Sequence, residues 1–132
     1  MVHVVATTAP RRLVEELDDN DIEALFDREV RDALAVLQDG RARGVTRFVF
    51  VIRSIAERGA GEFAATCAAA EAVRVLALSA ARQWNGEGVT VNCVSVASPE
   101  DDVAPIVDFL ASDAAAGVTG ETIRVGGPTH GL

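Results

Sequence analysis

Apolar residues in this chain alternate between short continuous runs and longer stretches in which they return every three or four positions. The first run, residues 2–6 (VHVVA), is closed by Thr7, Thr8, Ala9 and Pro10 and reads as a buried strand. Residues 19–38 then carry a helical stripe of Ile22, Leu25, Phe26, Val30, Ala33, Leu34 and Leu37. Asp18 is placed as its N-cap, the first turn is acidic, and Gly40 follows as a candidate stop. The run 47–52 (RFVFVI) is continuous and rich in β-formers, the pattern of a strand buried on both faces of a parallel sheet.

Residues 54–61 read as a loop and residues 63–84 as a long helix that is apolar nearly all round. Ala69, Val73, Leu76, Ala80 and Trp84 share one face, while Ala72, Val75 and Leu78 lie on others. Such a helix is expected to pack on its own sheet and on something else besides. A third strand follows at 89–96 (VTVNCVSV), a helix near 103–111, and a fourth strand at 121–125 (ETIRV). Pro105 fits only the first turn of that helix, which puts its start near Asp101 or Asp102. The order β-α-β-α-β-α-β with right-handed crossovers predicts an α/β fold: a Rossmann-like open parallel sheet of about four strands with helices on both faces. No repeat, linker or low-complexity segment divides residues 1–132, which read as one domain.

Composition narrows the function classes. Hydrophobic residues make up 49% and aromatics only 5%, so the core is built of Ala, Val, Leu and Ile and disorder is excluded. The net charge of −8, with the basic residues scattered among the acids, argues against nucleic acid and anionic membranes as partners. No apolar run is taken to reach transmembrane length, and the N-terminal charges follow the apolar segment, the reverse of a signal peptide. Cys67 and Cys93 lack any framework spacing and read as reduced, buried thiols. A cytoplasmic location is the expectation.

The residues with chemical potential are few. The glycines at 59–64 (GAGEFA) spell a GxGxxA, but residues intervene between it and the preceding strand, and Glu62 would repel phosphate; a dinucleotide site is rejected. Glu29 falls at helical spacing with Ile22, Phe26 and Ala33, on or beside the buried face, where an unpaired carboxylate would titrate abnormally. The competing reading pairs it with a surface arginine. Ser54 stands at the carboxyl end of a buried strand, where open α/β sheets bind ligands. The only histidines, His3 and His130, show no triad partner, so serine hydrolysis is disfavoured. Two isolated histidines and two isolated cysteines give no metal site. Cys67 lies near a helix start but among alanines, and is read as a structural thiol rather than a reactive one.

Several stretches together resemble the short-chain dehydrogenase/reductase family. DDVAPIVDFLASDAAAGVTGETIRVGG resembles that family's closing helix, turn and last strand, and GEGVTVNCVSV its sixth strand. RFVFVIRSIAERGAGEFAATCAAAEAVRVLALSAARQW resembles the fifth strand, active-site loop and fifth helix; VVATTAP and ELDDNDIEALFDREVRDAL resemble the fourth strand and fourth helix. The resemblance implies an NAD(P)-dependent oxidoreductase ancestry, with a chain that starts at about the fourth strand and lacks the glycine-rich cofactor turn; Met1 and the family-like C-terminus favour a full-length protein, with a fragment of a longer one as the alternative. It places Ser54 at the family's serine, Glu29 at its asparagine, Thr66 at its tyrosine and Ala70 at its lysine. Tyrosinate and lysine perform the family's proton transfer, and neither Thr66 nor Ala70 substitutes for them. The substrate-loop insertion is nearly absent, since Ser98 and Pro99 lead straight into the last helix.

The expectation is a non-catalytic pseudoenzyme without a cofactor or a metal, acting as an oligomeric or accessory subunit, homomeric or beside an intact reductase. Its interface is expected around Val73, Leu76, Ala80 and Trp84. One alternative is a repurposed binder or enzyme using Ser54, Glu29 and Thr66. Another is an oxidoreductase active only with a cofactor-binding partner.

Overall fold

The computed structural model describes residues 1–5 and 9–127. Its four strands are β1 (Val2–Val4), β2 (Arg47–Arg53), β3 (Thr90–Val96) and β4 (Thr122–Val125), ordered β1-β2-β3-β4 and all parallel. The β2–β3 ladder runs from Arg47 opposite Thr90 to Arg53 opposite Val96. Because side chains alternate along a strand, β2 sends Phe48, Phe50 and Ile52 to one face and Val49 and Val51 to the other. All five are buried, which is why the run reads as continuously apolar. Helices α2 (Arg28–Ala42) and α3 (Ala64–Gln83) cover the first face, and α4 (Ala104–Leu110) covers the second. The expected α/β sheet with helices on both faces is the observed one.

The first helical stretch opens as α1 (Asp19–Ile22), passes through a π-helical turn at Glu23–Asp27, and continues into α2. Asp18 caps it: its side chain accepts from the Asp21 amide while Asp21 accepts from the Asp18 amide, a reciprocal capping box. The stop expected at Gly40 is a misreading. Gly40 lies inside α2, and a Cβ there would stand 2.5 Å from the Phe48 ring. The glycine lets the helix approach β2. The true stop is Gly44, with φ +80, whose amide donates to Arg41 O while the Val45 amide donates to Gly40 O. That pair of bonds is the Schellman arrangement.

Two other boundaries shift. α4 begins at Ala104 rather than near Asp101 or Asp102, because Asp101 instead closes a turn with the Ser98 amide, at 2.9 Å. Strand β1 is buried only in part. Val5 is inside, but Val2 and Val4 are 47% and 58% exposed, since β1 is the sheet edge and no helix among the described residues covers that side. The end of the strand expected at Ala6, together with Thr7 and Thr8, lies outside the described residues, as do His130 and the tail at 128–132.

Helix α3 corrects a further expectation: over Ala64–Gln83 it is long and apolar enough to cross a membrane, by length and composition. Its packing assigns it to the core of the fold instead. Val73, Ala77 and Ala81 are buried against the sheet, and Glu71 and Arg74 form an ion pair of 2.8 Å along its side. On β3, the fully buried Asn92 donates to Val118 O at 2.9 Å and accepts from the Glu121 amide at 3.1 Å, which aligns the entry into β4.

Two measurements follow from this packing. Replacing a helix-interior glycine by alanine ordinarily gains up to about 1 kcal/mol. Gly40→Ala is expected to reverse that sign and cost about 1–3 kcal/mol by overpacking Phe48, read from the urea midpoint. The second concerns Cys93, whose thiol burial pushes from 9.0 up to about 12, with the Arg74 charge acting the other way. A folded pKa above the unfolded one stabilises fully below the unfolded value and is lost as pH rises through the folded value. The chain has no tyrosine, and every one of its twelve basic residues is arginine, so no phenol or lysine amine titrates in that window. Stability should therefore fall between about pH 9 and 12, and Cys93→Ala should flatten the fall in urea melts at stepped pH.

Candidate functional site

Parallel strands end together, so the residues that follow β2 and β3 gather at one rim of the sheet. Strand β2 ends at Arg53, and Ser54 opens a single 3-10 turn, Ser54–Glu57. The chain then crosses to α3 through a loop in which Glu62 adopts φ 70 without being a glycine. A second segment ties this loop down: the Arg12 amide donates to Glu62 O at 2.8 Å, and Arg12 bridges in parallel with Phe63. The Arg12 guanidinium meets Asp21 at 2.9 Å, and that hydrogen bond holds the Asp21 carboxyl below its usual range. The stretch around Ala9–Arg12 is thereby pinned both to the start of α1 and to the loop before α3.

Between these parts lies a cavity of about 270 Å³. Arg53, Ile55 and Ala56 line it from the end of β2 and the turn after it; Ala60 and Phe63 line it from the loop. From α3 come Thr66, Cys67 and Ala70, with Ala9 closing one side. Thr66 and Ala70 are one helical turn apart and so share a face. The walls are mostly small and apolar, with Arg53 and Thr66 as the polar side chains.

Of the residues singled out from sequence, the structure brings Thr66 and Ala70 to this cavity and leaves two elsewhere. Ser54 is half-buried at the start of the turn and does not line it, and Glu29 is half-buried in the first turn of α2. The three-residue site of Ser54, Glu29 and Thr66 is therefore not assembled around this cavity. Cys67 and Cys93 are free and buried, as expected. His3 packs edge-on against Phe50 with ring centroids 5.8 Å apart. Among the described residues no cluster of His, Cys, Asp and Glu is placed to hold a metal ion.

The residues expected to form a subunit interface are also repositioned. Val73 and Ala80 are 0% and 8% exposed, buried in the chain's own core, and Leu76 packs beside them. Trp84 lies against Phe48 at 5.8 Å, with the Arg41 guanidinium 5.2 Å from its ring. This stripe faces the sheet because it carries the i, i+3, i+7 spacing toward Phe48, Phe50 and Val91. On α3 the exposed large apolar residue is Val75.

Two features went unseen in sequence. Arg53 looks like an ordinary charged residue at a strand end, and only its position at the carboxyl end of β2 hinted at a site. Glu57 accepts from the buried Ser95 hydroxyl at 3.3 Å and pairs with Arg124, linking the turn after β2 to β3 and β4. Its partners are distant in sequence and could not be foreseen.

No protein-family model matches the sequence, and no curated protein matches it. Solved structures do. The chain is similar to a short chain dehydrogenase/reductase family protein at 27% identity and TM-score 0.76, over 94% of this chain and 64% of that one. It is similar in fold to the promiscuous reductase LugOII, which catalyses keto-reduction at C1 during lugdunomycin biosynthesis, with 19% identity, TM-score 0.81 and 93% of this chain covered. A 4-hydroxyisoleucine dehydrogenase complexed with NADH and succinate matches over 99% of the chain, with 18% identity and TM-score 0.79. The chain spans 57% of the length of the reductase and 68% of that of the dehydrogenase. The chain thus has the Rossmann-like fold shared by short-chain dehydrogenase/reductase structures.

Proposed function

We propose that the chain is a non-catalytic member of this family that works as an oligomeric or accessory subunit, either with copies of itself or beside an intact reductase. One observation carries the non-catalytic half of this reading. Thr66 and Ala70, the positions that the resemblance assigns to the proton-transferring tyrosine and lysine, line the same cavity wall. That shared wall supports reading the two as relics of a reaction centre that lacks the family's chemistry. A threonine hydroxyl is too weak an acid for the transfer, and an alanine methyl has no charge with which to tune a neighbour. Residues 1–132 contain no tyrosine and no lysine, so neither group comes from another position within them.

Exposed apolar surface supports the subunit half. Val2 and Val4 stand open on β1, whose outer edge has no strand partner among the described residues, and an unpaired edge of this kind is a template for another chain. Leu34 on α2 and Val75 on α3 are also exposed, at 39% and 52%. Association that covers either surface removes apolar area from water.

Light scattering tests the association. The expected mass is at least twice that of one chain, or a heteromer when an intact family reductase is added. Of two charge insertions, Val4→Glu on β1 and Val75→Glu on α3, at least one should return the chain to a monomer and so mark the face used. A monomer at all concentrations, alone and with the reductase, would contradict the proposal.

A further inference from the structure

We propose that the cavity behind β2 is a binding site for a small organic monocarboxylate, with its carboxylate held by Arg53 and its apolar body lying along Ile55, Ala60 and Phe63. Arg53 motivates this. It is the last residue of β2, it lines the cavity, and its Nε is buried with no hydrogen-bond partner among the described residues. Buried donors in folded proteins are paired in the great majority of cases, because an unpaired one forfeits its hydration. Arg53 also stands outside the ion pairs that engage Arg11, Arg12, Arg31, Arg41, Arg47, Arg74 and Arg124.

The acids nearby are committed elsewhere. Glu100 is engaged by the Ser98 hydroxyl, whose hydrogen bond, more than the charge of Arg53, holds the Glu100 carboxyl below its usual range. Glu57 is taken by Arg124 and Ser95, and Glu62 by Arg11. Among the described residues the guanidinium therefore forms no ion pair, and it is fixed at the carboxyl end of a rigid central strand. Its planar fork matches a carboxylate better than any neutral acceptor.

The rest of the cavity sets the class of ligand. Its wall is otherwise alanines, Ile55, Phe63 and Cys67, with the Thr66 hydroxyl as a second donor, so the ligand has one polar head and an apolar body. A volume of about 270 Å³ limits that body to a few carbons, below the roughly 300–1,000 Å³ of sites for larger ligands. The net charge of −8 disfavours a dianion such as a phosphate monoester relative to a single carboxylate.

Calorimetric titration with acetate, butyrate, hexanoate and octanoate, with the matched primary alcohols, and with inorganic phosphate tests the site. One of the middle acids should saturate a single site, binding more tightly than its alcohol by at least about tenfold, with phosphate weaker than the acid. Arg53→Gln should weaken the acid roughly 10–100-fold and leave the alcohol unchanged. Arg53→Lys, which keeps the charge but loses the fork, should fall between the two. An unchanged near-UV spectrum from Trp84 shows that each variant is folded. Should Arg53→Gln not fold, Arg53→Lys carries the comparison. No saturation by any acid, equal affinity for acid and alcohol, tighter binding of phosphate, or a folded variant binding the acid like the parent would each overturn the proposal.

Discussion

The pairing of β2 with β3, seven residues against seven and covered on both faces, is the constraint on which the remaining structure depends. Phe48, Phe50 and Ile52 require α2 and α3 on one side, while Val49, Val51, Val94 and Val96 require α4 on the other. Burying those side chains is worth roughly 1.5–3 kcal/mol each, so neither face tolerates water. Parallel pairing then puts every strand end of the same sense at one rim. The cavity beside Arg53 sits there as a consequence of topology.

How much of this was legible depended on whether a pattern had one physical cause or two. The strands at 47–52 and 89–96 read correctly because a continuous β-rich run flanked by turns has little else to be. Asp18 read correctly because an acidic N-cap before an amphipathic stripe satisfies amides that helix geometry leaves open. Gly40 was misread because a glycine serves both as a helix stop and as a point of close approach, and only Phe48 across the gap distinguishes them. On an all-apolar helix such as α3, periodicity cannot say which stripe meets its own sheet. The residues assigned to a neighbour, Val73 and Ala80, proved to be core.

The candidate site was less legible than the fold. Thr66 and Ala70 emerged through resemblance, and the structure sets both on one cavity wall. Ser54 and Glu29 emerged from strand-end position and helical spacing as well as from resemblance, and neither lines that cavity. Arg53 was invisible because its distinction is a buried Nε with no hydrogen-bond partner among the described residues, a property of three-dimensional neighbours. Together these observations support the proposed reading of a scaffold with this fold whose cavity wall offers threonine and alanine where the resemblance expects an acid and a charge. What stays is a small cavity with a cation, and apolar surface on β1, α2 and α3 suited to association.

Whether the scaffold retains redox chemistry is the question that decides the account. The direct measurement is nicotinamide fluorescence and absorbance during titration of the purified chain with NADH and NADPH, with and without a panel of small ketones. The account predicts no ketone-dependent oxidation of either nucleotide. Saturable oxidation that follows the ketone concentration and is lost in Thr66→Ala would contradict it, and would mean that a proton donor operates at a position where this account finds none.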